Sequence, residues 1–93
     1  MQIIDIIHIE DCFDGSYIKE FVFAAAVNED FILFLGQHGQ LSYFKTFARP
    51  FYKIIFPSQA YLKGVQGNPT ARAMLRDADD ILLIRQLVDA HKP

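Results

Sequence analysis

The 93-residue chain has one cysteine, five glycines, four prolines and no tryptophan. The lone Cys12 excludes an intramolecular disulfide framework and any cysteine-only metal site, a usage that fits a reducing compartment. The longest unbroken apolar run, Phe21 to Val27, is far below the roughly 20 residues a helix needs to span a bilayer. No basic stretch precedes the apolar start, and Asp5 and His8 interrupt it, so it does not read as a secretory signal. A cytoplasmic protein with no membrane contact is therefore expected. Excess charge is lacking too: nine Lys+Arg against eleven Asp+Glu leave a net charge of -2, which excludes a polybasic, histone-like role. Repeats, low-complexity tracts and linkers are absent. With 52% hydrophobic residues, the chain reads as one folded domain over residues 1–93.

What is present points to an α+β fold. Gln2 to Ile9 holds five isoleucines, whose stiff χ1 favours a strand. Asp14-Gly15 then supplies a tight hairpin turn, so Tyr17 to Val27 should pair antiparallel with the first strand. Phe31 to Leu35 is wholly apolar and reads as a third strand. Leu41 to Ala48 and Phe51 to Phe56 read as a fourth and fifth, with Arg49-Pro50 as a corner. Ser58 is placed to cap a helical turn through Lys63, with Gly64 to end it. Asn68-Pro69 reads as the start of an amphipathic helix running from Thr70 to His91, since Asn is a good N-cap and Pro suits the first helical position. The Asp77 to Asp80 cluster can divide this helix, because Asp77 or Asp79 could cap a second segment. The expected fold is an antiparallel sheet of about five strands followed by a C-terminal amphipathic helix.

One helical layer covers one face of a sheet, whereas strands one and three are apolar on both faces. The second face needs a partner unless the sheet curls on itself. A second copy of the chain is the expected occupant, giving a homodimer.

Charge is distributed in blocks. Residues 1–30 carry seven acids and only Lys19 as a base, whereas residues 31–76 carry Lys45, Arg49, Lys53, Lys63, Arg72 and Arg76 and no acid. Within the second block, Leu41 to Lys53 interleaves Tyr43, Phe44, Phe47, Phe51 and Tyr52 with three cations, a composition able to stack bases and neutralise phosphates. Packing of these aromatics into the core is the favoured reading of that segment, so nucleic acid is the less favoured partner. A second candidate is Lys63, Gly64, Gly67, Asn68, Thr70, Arg72 and Arg76. Here two glycines and a helix start could hold an anion, although the segment is not a P-loop, because no Gly-Lys-Ser/Thr follows.

His8, Glu10, Asp11, Cys12 and Asp14 are close in sequence, but His8 and Cys12 would lie about 13 Å apart on a strand, too far to share a zinc ion. No metal or cofactor is expected. Cys12, Ser16, Ser42 and Ser58 lack a nucleophile context, and the balance leans against an enzyme. The sequence thus points to a non-enzymatic module acting by protein–protein interaction, homo-oligomeric and regulatory or accessory. A domain binding phosphate, nucleotide or single-stranded nucleic acid through Lys63 to Arg76 is the alternative.

Overall fold

In the computed structural model, which describes residues 1–92, the sequence forms six strands and two helices. These are β1 (Ile3–Asp11), β2 (Tyr17–Phe23), α1 (Glu29–Gly36), β3 (Gln40–Phe44), β4 (Phe51–Ile55), β5 (Tyr61–Val65), β6 (Thr70–Leu75) and α2 (Ala78–Ala90). The strands make one antiparallel sheet in the order β1-β2-β6-β5-β4-β3. The α+β class holds, with six strands where about five were expected. The sheet is open, with β1 and β3 as its edges.

The first hairpin follows from its turn: Gly15 takes φ +89°, and Asp14 Oδ1 accepts hydrogen bonds from the Ser16 N–H and hydroxyl. Phe31 to Leu35 corrects the sequence reading, because it is helical. Asn28 caps it by accepting from the Phe31 N–H at 2.9 Å, and Glu29 and Asp30 occupy its first turn. A short apolar run has no diagnostic period, so the cap and the acids beside the positive end of the dipole decide. The helix buries Phe31, Ile32 and Leu35 and leaves Leu33 exposed.

Two further expectations give way. The turn after Ser58 does not become helical: Gln59 adopts φ +75°, and the chain enters β5 at Tyr61. Gly64 stops nothing. It lies within β5 under the buried Tyr52 ring, where an added Cβ would sit 2.8 Å from the Tyr52 hydroxyl and 3.2 Å from the Thr70 carbonyl oxygen. Asn68-Pro69 is likewise no helix start, because Thr70 to Leu75 is an inner strand bonded to β2 on one side and β5 on the other. Its alternation puts Ala71, Ala73 and Leu75 in the core, and two neighbouring ladders outweigh a local capping preference.

The helix starts at the acid cluster instead. Asp77 is its N-cap and forms a capping box with Asp80. Asp80 is buried and does more than cap: Oδ1 accepts from the Ser58 hydroxyl at 2.7 Å, and Oδ2 accepts from the Arg76 N–H at 2.8 Å and the Asp77 N–H at 3.3 Å. One carboxylate therefore ties the β4–β5 turn, the end of β6 and the first turn of α2. Both helices pack on the same side of the sheet, where Phe21, Phe23, Ile54, Leu62, Ala73 and Leu75 meet Phe31, Leu35, Ile84 and Val88 in one core. Among the described residues no layer covers the opposite side of the sheet.

Two stability predictions follow from this packing. Gly64→Ala should cost about 1–3 kcal/mol in chemical denaturation, since the Tyr52 ring has no room to retreat. Asp80→Asn should cost about 1.5–3 kcal/mol at neutral pH through lost charge-assisted hydrogen bonds. Burial pushes the Asp80 pKa up, but the bonds from Ser58, Arg76 and Asp77 and the Arg76 charge together hold it below its ordinary 3.8. The Asp80 contribution is thus fully present above that value and lost as pH falls through the lower folded value. The stability difference between wild type and Asp80→Asn should shrink in acid; a constant difference down the acid limb would contradict this assignment.

Candidate functional site

Cross-strand partners point to the same side of a sheet, so the register lays out the uncovered face in three rows. Its central row is Ile7, Glu20, Arg72, Lys63, Lys53 and Ser42 across β1, β2, β6, β5, β4 and β3. One flanking row holds Glu10, Ile18, Met74, Tyr61, Ile55 and Gln40. The other runs from Asp5, Val22 and Thr70 on one side to Val65, Phe51 and Phe44 on the other.

The middle of the face is therefore cationic. Adjacent strands lie about 4.8 Å apart, which sets Lys53, Lys63 and Arg72 within roughly 10 Å along one line. Like charges directly opposite one another oppose pairing. Partial relief comes from Glu20, whose Oε1 is 3.7 Å from Arg72 Nε, and from Tyr61, whose ring centre lies 4.3 Å from Lys53 Nζ and 5.5 Å from Lys63 Nζ. Acids on this face, Asp5, Glu10 and Glu20, are confined to β1 and β2.

Beside the cations stands an exposed aromatic cluster. Phe44 and Phe51 are stacked with ring centres 4.4 Å apart, and Phe47 of the β3–β4 connection stacks on Phe51 at 5.3 Å. They remain 42%, 39% and 53% exposed respectively, so the cluster closes the hairpin yet keeps outer ring surface in water. Between it and the cations lies an open depression of about 430 Å³, lined by Arg49, Phe51, Tyr52, Lys63, Gly64, Val65 and Arg72.

The residues expected to act at a helix start are thus redistributed. Lys63, Thr70 and Arg72 lie on the uncovered face, and Gly64 in β5 also lines the depression. Gly67 and Asn68 form the β5–β6 turn, and their backbone donors are consumed: the Gly67 N–H bonds Val27 O at 2.7 Å and the Asn68 N–H bonds Val65 O at 3.2 Å. The Asn68 side chain accepts from Arg49 Nη2 at 2.8 Å. Arg76 lies beyond the end of β6, about 13 Å along the strand from Arg72. No helix dipole and no free turn amides serve this segment. What the separate reading of the two segments missed is their junction: Arg49, Phe51 and Lys53 from the first meet Lys63 and Arg72 from the second. The period-2 alternation of Phe51 to Ile55 and Thr70 to Leu75 was the signal that could have placed them on one face.

Other polar clusters offer less. His91 is buried between Phe31 and Phe34, with ring centres 5.1 and 5.0 Å away and Nε2 3.0 Å from Asp30 Oδ2. It joins the end of α2 to α1. Among the described residues no three His, Cys, Asp or Glu side chains converge in a metal-binding arrangement, and no helix is long and apolar enough to cross a membrane.

If the cation row is strained by self-repulsion, Lys63→Glu should raise stability by roughly 0.2–1 kcal/mol at low ionic strength. That gain should fade near 1 M salt, where the screening length is about 3 Å. Loss of stability at low salt in thermal unfolding would show that the row is already compensated. Comparison with known protein families, with characterised proteins and with solved structures finds no match to this chain.

Proposed function

We propose that this protein is a non-enzymatic binding module that works through the uncovered face of its sheet, and that its partner presents negative charge there. The observation that carries this reading is the register alignment of Lys53, Lys63 and Arg72 on three adjacent strands, with Glu20 at 3.7 Å the nearest acid. An arrangement that works against strand pairing is retained where an anionic ligand offsets it.

A second copy of the chain, expected from the sequence, meets an electrostatic obstacle on this face. In a twofold face-to-face dimer the centre of the patch packs on itself. That centre is the Lys63–Arg72 pair, so four cations would be desolvated around the axis with only Glu20 beside Arg72 in each copy to offset them, a costly placement. An offset dimer escapes this by laying the Asp5, Glu10 and Glu20 side of one copy over Lys53 and Lys63 of the other. This is the second reading, and the uncovered apolar rows favour it.

The two separate by titration with inorganic polyphosphate at low salt and by sedimentation at micromolar concentration. We expect polyphosphate to raise the melting temperature of a monomer, and the effect to vanish in the triple variant Lys53→Gln, Lys63→Gln, Arg72→Gln. A mass near twice 10.7 kDa that is lost in Glu20→Lys, without polyphosphate stabilisation, would establish the offset dimer instead.

A further inference from the structure

We infer that the anionic partner is a single-stranded nucleic acid, its phosphates on Lys53, Lys63 and Arg72 and a base on the outer surface of the Phe44, Phe47 and Phe51 cluster. This rests on the reading of the uncovered face as an anion site and adds what the aromatic cluster is for. Inorganic anions would use the cations and leave the phenyl rings without a role. Nucleic acid uses both, since it alternates charge with a flat apolar surface at every residue.

The placement matches that alternation. Phe51 and Lys53 point to the same face of β4 two residues apart, about 7 Å, and Phe51, Lys63 and Arg49 line the same depression. Its volume of about 430 Å³ falls within the roughly 300–1,000 Å³ of small-ligand sites, enough for one nucleotide with its neighbours lying across the face. Duplex is a poor fit. The face is a broad sheet surface with no helix or ribbon projecting from it to enter a groove, and the acids of β1 and β2 would repel a second strand. Those same acids bound the footprint to the β3–β6 side of the sheet.

The experiment is fluorescence anisotropy of the full chain with short single-stranded DNA and RNA of mixed sequence, each competed with duplex, inorganic polyphosphate and poly-glutamate. Three phosphate contacts imply that raising salt about fourfold weakens binding by roughly 20-fold. Phe51→Ala should weaken it by roughly 5- to 150-fold, the range for loss of one stacked base. Phe51→Leu keeps apolar bulk in the hairpin without a ring and should weaken binding similarly while melting close to wild type, which separates stacking from folding. Single-strand binding that depends on the ring and resists polyphosphate at equal charge supports the inference. Binding indifferent to Phe51, or equal competition by polyphosphate or poly-glutamate, overturns it and leaves the anion site standing. No binding of any polyanion overturns both.

Discussion

The structure depends on one constraint: among the described residues two short helices supply the only layer that buries the sheet, and both lie on the same side of it. The inner strands answer by alternation, complete along β4 and β6 and present in β2 from Phe21 onward. Phe21 and Phe23, Ala71, Ala73 and Leu75, Leu62, and Tyr52 and Ile54 all point inward, and their neighbours point to the side that has no layer. The Asp80 carboxylate holds the layer in place, since it ties the start of α2 to the end of β6 and to the β4–β5 turn. A helix whose first turn is anchored to two sheet elements cannot slide over the core. Its Ile84 and Val88 therefore meet the sheet in one register.

The same topology turns a pattern along the chain into a pattern in space. Strands β3 to β6 are joined in sequence by short connections and pair in that order, so the part of the acid-free block that follows α1 stays together as one side of the sheet. The acidic hairpin β1–β2 is inserted beside β6 and becomes the other side. The near-neutral total thus conceals a face with positive charge at its centre and toward β4, and negative charge toward β1. A field of this kind orients an incoming polyanion as well as attracting it.

How much of this was legible in the sequence depended on whether the deciding signal was local. The Asp14-Gly15 hairpin and the Asp77 cap were readable, because turn chemistry and capping act within a few residues. The Ile81, Ile84 and Val88 spacing also identified the helix that carries it. Failure came where a distant partner decided. Asn68-Pro69 has the composition of a helix start, but the Gly67 N–H is bonded to Val27 and the Phe23 N–H to the Pro69 carbonyl, and no sequence window contains those pairs. Gly64 looked like a stop because nothing nearby in the chain reveals that Tyr52 lies over it. Phe31 to Leu35 was a different case: its cap and first-turn acids were visible but gave way to an apolar run that has no period of its own. For the candidate site, the cations and aromatics were visible as two segments, whereas their shared face required the register of four strands.

An uncovered sheet face should be a liability, and the cations explain why this one is tolerable. Ile18, Met74, Ile55 and Val65 are only partly exposed although no layer covers them. Lys53 and Lys63 stand in the row between the apolar ones, and their long stems shield neighbouring hydrocarbon while the ammonium groups stay in water. Tyr61 fixes both heads by lying within 5.5 Å of each Nζ. The side chains that keep the apolar rows from aggregating are therefore the ones that make the centre of the face positive. Under the proposed anion-binding role, solvation of the bare face and attraction of the anion would share one cause, so a substitution made to remove the charge would also uncover apolar surface. Replacement by glutamine keeps much of the stem and separates the two effects, whereas replacement by alanine confounds them.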